Sequence, residues 1–216
     1  IGLPPTPAEI NNFVKDKDPR AWDNLVTRLL ASPHYGERWG RHWLDVVRYA
    51  DSNGADENKS YPLAYHYRNY VIDAFNQDLP FDEFVREQLA GDLLPDPRDA
   101  AITNRRLTAT TYLAMGIKID AEKDGEKKRS DIIDEQIDTI SRSLLGVTVA
   151  CARCHNHKFD PIPTSDYYAM AGVLRSTDLA NRKLDSGERR TLQKEITRLK
   201  KDIEKLRAKA DARIAG

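Results

Sequence analysis

Cysteine is scarce in this chain of 216 residues, with two in all, too few to staple so long a chain into a disulfide scaffold. Methionine is as rare, at two, and no apolar run approaches the roughly 20 residues that a membrane-spanning helix needs. Net charge is missing as well. Lys and Arg number 34, as do Asp and Glu, and this balance argues against a dedicated nucleic-acid binder, whose phosphate contacts need a basic surplus. Neither end has the pattern of a signal peptide, and Ile1-Gly2-Leu3-Pro4-Pro5 without a Met reads as an excised or processed start. No Ser-His-Asp arrangement, glycine-rich phosphate loop or carboxylate pair can be argued from spacing, so hydrolase readings have no support. What is present is a charged chain, 40% hydrophobic, with enough apolar residues to bury a core.

The pattern is helical almost throughout. Thr6-Pro7-Ala8-Glu9 has the form of a capping box, in which hydroxyl and carboxylate each satisfy an orphan backbone N–H. Asp18-Pro19 repeats the logic, and Trp22, Leu25, Val26, Leu29 and Leu30 then share a face. Ser32-Pro33 breaks that helix, and a third is expected over about 35–49 with Trp39, Trp43, Val46 and Val47 on its apolar side. Residues 51–60 form a polar loop, followed by helices over 61–75, 81–89 and roughly 99–115. The charge run 120–129 lacks apolar anchors and reads as a solvated loop. Ser130 is positioned to cap a helix carrying Ile132, Ile133, Ile137, Ile140, Leu144 and Leu145, and Thr164 or Ser165 one that ends at Leu174. No strand pairs are evident. The expected class is all-α, an irregular multi-helix domain over 1–180.

From Ser186 the character changes. Leu192, Ile196, Leu199, Ile203, Leu206 and Ala210 alternate spacings of four and three among charged residues, an a/d seam of about three heptads. Residues 186–216 are therefore expected to form either a coiled-coil arm, with helix-mediated oligomers as a consequence, or an amphipathic helix lying on the domain. The chain is expected to continue past Gly216.

Both cysteines fall in Cys151-Ala152-Arg153-Cys154-His155, the C-x-x-C-H frame of c-type haem attachment. Each thiolate adds across one vinyl group, two intervening residues set the sulfurs at the vinyl spacing, and the next residue offers an imidazole to the iron. Other readings compete. A thioredoxin-like pair belongs at a helix N-terminus after a strand. A structural zinc needs four N/S ligands, hence His155 or His157 and a further histidine. A short pattern can also match by chance. For a haem iron, His155 is the proximal ligand. His42, between Trp39 and Trp43, is the first candidate for the opposite position, ahead of His66. Met115 and Met170 are candidates too, although both read more simply as core. His157, two residues beyond His155, is expected to bond a propionate or the local backbone.

Several stretches together resemble a known family. They are Gly2-Leu3-Pro4-Pro5-Thr6-Pro7, Ala31-Ser32-Pro33-His34-Tyr35-Gly36-Glu37-Arg38-Trp39, His42-Trp43-Leu44-Asp45 and Arg48-Tyr49-Ala50-Asp51-Ser52. Downstream stand Val71-Ile72-Asp73-Ala74-Phe75-Asn76, Leu79-Pro80-Phe81-Asp82, Gln88-Leu89-Ala90-Gly91-Asp92-Leu93-Leu94-Pro95 and Cys151 through Ile162. The chain resembles the planctomycete cytochrome c-like domain over about residues 1–175. That resemblance implies covalent haem c through Cys151 and Cys154, and a periplasmic or otherwise extracytoplasmic location. It also implies a larger parent protein whose other cytochrome or redox domains are the partners. It supplies no reaction. Two matched blocks far apart in sequence, His42 to Asp51 and Cys151 to Pro161, suggest two walls of one site.

Three functions follow as expectations. Electron transfer comes first. Second is a haem-dependent oxidoreductase with an open iron and an external substrate, for which the lifestyle the family implies suggests a carbohydrate and for which Arg48, Tyr49 and Asp51 are the catalytic candidates. Arg48 and Asp51 are equally readable as a structural ion pair at a helix end. Third is a scaffold organised by the C-terminal heptads.

Overall fold

The computed structural model describes residues 1–55, 58–95, 98–184 and 195–204. The class is all-α: among the described residues no strand forms, only an isolated bridge between Ser52 and Ser60 across the polar loop. The helices are α1 (Pro7–Lys15), α2 (Ala21–Leu30), α3 (Pro33–Val46), α4 (Tyr65–Asn76), α5 (Phe81–Ala90), α6 (Ala100–Ala109), α7 (Gly125–Ile140) and α8 (Thr164–Leu174). Among the described residues no helix is long and apolar enough to cross a membrane.

Local chemistry explains most boundaries. The capping box forms as expected, with Thr6 N–H donating to Glu9 at 2.8 Å and Glu9 N–H to the Thr6 hydroxyl at 3.2 Å. Asp18 accepts from Arg20 N–H at 2.8 Å, but Pro19 and Arg20 form a turn, so α2 starts at Ala21. Pro33, expected to break a helix, is the first residue of the next one, a position where its missing N–H costs nothing. The expected cap at Ser130 and the solvated loop before it need correction. Asp124 caps α7, accepting from Glu126 and Lys127 N–H at 3.0 and 3.1 Å, so the helix begins at Gly125. α8 begins at Thr164 with Pro163 as its cap and no side-chain capping bond.

The face that α3 buries also differs from expectation. Trp39 and Val46 are half exposed, and the stripe that meets α4 is Gly36, Gly40, Trp43 and Val47. A Cβ at Gly36 would stand 2.4 Å from the Ile72 carbonyl oxygen, so only glycine lets the two helices approach this closely. Asn76 closes the contact, accepting from Gly36 N–H at 2.8 Å and donating to the Pro33 carbonyl at 3.1 Å.

Two cores result. The first gathers Val47, Tyr67, Tyr70, Val71, Phe84, Tyr112 and Met115; each fully buried large side chain there contributes about 1.5–3 kcal/mol. Its polar atoms are paired: Gln88 accepts from Trp43 Nε1 at 3.0 Å and from the Tyr67 hydroxyl at 2.5 Å, and wholly buried Glu87 meets Arg105 at 2.5 Å. The second core joins α7 to α8 through Ile133, Ile137, Val149, Ala152, Tyr167 and Leu174.

The chain divides into two compact units, Ile1–Leu94 with Arg105–Ala180, and Pro95–Asn104 with Asn181–Gly216. Within the second, residues 195–204 are helical and leave Ile196, Leu199 and Ile203 about half exposed. The other heptad positions, Leu192, Leu206 and Ala210, lie outside the described residues.

Candidate functional site

The site is built where α7 ends. The helix widens into a π turn over Ser141–Leu145, and Gly146 stops it in left-handed backbone at φ 69°. The chain then enters a 3₁₀ turn, Val149–Arg153, in which side chains three apart eclipse one another. Val149 and Ala152 therefore share a side, and they are 4% and 0% exposed in the second core. Cys151 and Cys154 share another side, Cys154 keeping helical backbone as the capping residue, and both are exposed free thiols. Two residues between the cysteines thus place both sulfurs outward.

The turn is held firmly. Arg153 pairs with Asp134 at 3.1 Å and Asp131 at 3.4 Å on α7, and its carbonyl accepts from the Tyr168 hydroxyl of α8 at 3.2 Å. Tyr167 donates to Asp134 at 2.7 Å; burial first, and that carboxylate second, raise its phenol well above the usual value.

The two histidines that follow have opposite tautomers. His155 is exposed, and its Nδ1 lies 2.8 Å from the Asn156 carbonyl oxygen. A carbonyl can only accept, so Nδ1 carries the proton and the neutral ring keeps its lone pair on Nε2, as an axial ligand requires. His157 is the reverse. Its side chain is 6% exposed, and Nδ1 accepts from the backbone N–H of Asp160 at 2.8 Å and Phe159 at 3.3 Å. The proton therefore sits on Nε2, which donates to the Thr148 hydroxyl at 3.1 Å. Of the two roles expected of His157, the structure shows the bond to the local backbone.

A cleft of about 570 Å³ opens against the segment that precedes the cysteine turn, lined by Asp45, Val46, Arg48, Asp138, Arg142, Gly146, Val147 and Thr148. It brings Asp45 and Arg48 of the first sequence block together with the segment that delivers the cysteines. Arg142, on its wall, is held above its usual pKa first by its hydrogen bond to Asp138. His42, Trp43, Tyr49 and Asp51 do not line it.

Arg48 is fixed from several directions. Its backbone is left-handed at φ 56°, a strain of about 1–3 kcal/mol for a residue with a Cβ. Its guanidinium donates to Glu135 at 2.9 Å, Asp138 at 3.4 Å, the Glu135 carbonyl at 3.0 Å and the Thr139 hydroxyl. The Arg48–Asp51 ion pair considered from sequence does not form. Asp51 instead accepts from the Tyr49 hydroxyl at 2.8 Å; burial and that carboxylate push the phenol up to about 12. Burial also raises Glu135, one of whose oxygens is buried without a hydrogen-bond partner among the described residues.

The other expected ligands are placed as follows. His42 is exposed, accepts from Arg38 Nη1 at 3.2 Å and packs its ring 5.5 Å from Trp39; the two flanking tryptophans do not bury it, since Trp39 is half exposed and Trp43 turns into the core. His66 is half-buried and stacks on Tyr65 at 4.2 Å. Met115 is buried in the first core and Met170 packs on the second. Among the described residues, no three His, Cys, Asp or Glu side chains gather to hold a metal ion by themselves. Sequence reasoning missed Glu135, Asp138, Arg142 and Thr148. The one available signal was the four-residue Asp138–Arg142 spacing, an ordinary helix-surface pair.

The family model PSCyt2, described as a protein of unknown function (DUF1549), matches residues 1–179, and the family is associated with planctomycetes. No curated protein and no solved structure matches the chain.

Proposed function

The chain belongs to the PSCyt2 family, and we propose that it is a covalent c-type haem-binding domain of an extracytoplasmic redox protein, with electron transfer as its function. The observation that carries this reading is the Cys151–His155 turn. Both thiols face outward from one side of a rigid 3₁₀ turn, and the next residue keeps its Nε2 lone pair available. Such a haem needs two thiols and one imidazole, a set these residues meet, whereas a structural zinc needs four ligands gathered in one place. The group itself supplies one-electron chemistry at iron.

The chain's own contributions are attachment, orientation and electrostatics. Cys151 and Cys154 would hold the haem, and the Asn156 carbonyl orients the His155 ring, a partner outside the metal that tunes ligand basicity. His157 braces the loop that carries Lys158 and Phe159. The other redox domains of a larger parent are the proposed electron partners.

Absorption spectra, oxidised and dithionite-reduced, of protein made in a host with c-type haem maturation test the reading. Low-spin bands in both states are the expected result; high-spin bands that shift with carbon monoxide would replace electron transfer by the second reading. That reading, oxidation of an external substrate, is favoured by the cleft lined in part by Gly146, Val147 and Thr148, the residues that lead into the cysteine turn.

A further inference from the structure

The cleft holds two guanidinium groups, and they are not equivalent. Arg48 spends both terminal nitrogens on Glu135, Asp138 and Thr139. Arg142 donates through Nε alone, to both oxygens of Asp138 at 2.7 and 2.8 Å. That contact fixes the inner edge of its guanidinium. The two terminal NH2 groups make no hydrogen bond among the described residues, and the side chain is 54% exposed.

A second donor is on the same wall. The Thr148 hydroxyl receives the His157 Nε2 proton, because His157 Nδ1 is already committed as acceptor to two backbone N–H groups. Thr148 therefore keeps its own hydroxyl hydrogen for another acceptor. The lining charges balance, Arg48 and Arg142 against Asp45 and Asp138, and Asp45 is also paired with Arg41 at 3.8 Å, so what the cleft offers a ligand is the unspent donors of Arg142 and Thr148.

We propose that this cleft is a carboxylate-binding site, in which the terminal NH2 groups of Arg142 and the hydroxyl of Thr148 receive the ligand's oxygens. A planar guanidinium with its outer nitrogens unspent is the side chain best matched to a carboxylate. The site adjoins Cys151, whose backbone N–H donates to the Thr148 carbonyl at 3.0 Å, so the carboxylate is either a propionate of the haem proposed above, in which case the inference rests on that reading, or a free organic acid.

Wild type, R142Q, R142K and T148V, made with c-type haem maturation, are compared by denatured mass, midpoint potential and amide NMR spectra during titration with sodium propionate. A haem propionate in the site predicts haem in every mass and a lower midpoint in R142Q, since removing a cation disfavours the reduced state. R142K recovers part of that shift, T148V shows a smaller one, and added propionate has no effect. A free acid predicts saturable shifts at Gly146, Val147 and Thr148, with affinity weakened about tenfold in R142Q, the effect of one charge-assisted hydrogen bond. Equal potentials and equal, unsaturable titrations in all four proteins would overturn the proposal. Masses without haem would instead remove the attachment reading, and the propionate titration would still decide the cleft.

Discussion

Replacing His157 by alanine should cost far more stability than replacing His155, although the two stand two residues apart. The His157 ring is 6% exposed and uses both nitrogens: Asp160 N–H at 2.8 Å, Phe159 N–H at 3.3 Å and the Thr148 hydroxyl at 3.1 Å. Truncation removes the two shorter bonds at about 1 kcal/mol each and leaves a cavity where the ring was, for a total loss of about 2–4 kcal/mol. His155 is exposed, and its one bond is to the adjacent residue's carbonyl, so H155A should lose less than about 0.5 kcal/mol. A third variant separates the two sides of the ring. In H157N the amide oxygen stands where Nδ1 does and keeps the Asp160 bond but not the Thr148 bond, so it should recover about half the loss. Urea unfolding of the protein without haem measures all three, and amide hydrogen exchange at Asp160 reads the bond locally. Equal losses in H155A and H157A, or H157N no better than H157A, would refute the assignment of opposite roles.

Other consequences are as direct. G36A should destabilise by about 1–3 kcal/mol, because its methyl would meet the Ile72 carbonyl at 2.4 Å. G40A, whose nearest neighbour is 3.4 Å away, should be neutral or gain up to about 1 kcal/mol from helix propensity; thermal melts distinguish them. R48M should lose about 2–3 kcal/mol by removing the cation bonded to Glu135 and leaving Asp138 to Arg142 alone, a value set below that of a fully buried pair because Arg48 is 32% exposed; urea midpoints measure it. Burial raises the folded pKa of Glu135, so its contribution to stability is fully present below the ordinary value of 4.5 and is lost as pH rises through the folded pKa. E135Q should flatten the pH dependence of the urea midpoint in that window, and an unchanged slope would contradict it.

Where the sequence was legible, the signal was local. The capping box at Thr6 and Glu9 and the helical class both follow from residues within a few positions of one another, whereas the 3₁₀ turn that carries the C-x-x-C-H motif was not expected. The inward face of α3 was not legible, because Gly36 and Gly40 contribute close approach and no hydrophobicity. The first turns of α7 were hidden for the same reason: Asp124 caps a helix whose opening residues are charged. The cleft needed tertiary information. Arg48 meets Glu135, Asp138 and Thr139 across 87 to 91 residues, and no local pattern ties a helix-end arginine to carboxylates that far away. Nor does the sequence show that His155 and His157 hold their protons on opposite nitrogens, since that depends on which backbone groups each ring faces.

The most direct test of covalent attachment is the intact mass, under denaturing conditions, of wild type and the C151S/C154S double variant produced with c-type haem maturation. The account predicts wild type heavier than its polypeptide by one haem, and the double variant at the polypeptide mass. Wild type at the polypeptide mass, or haem retained covalently by the double variant, would contradict it.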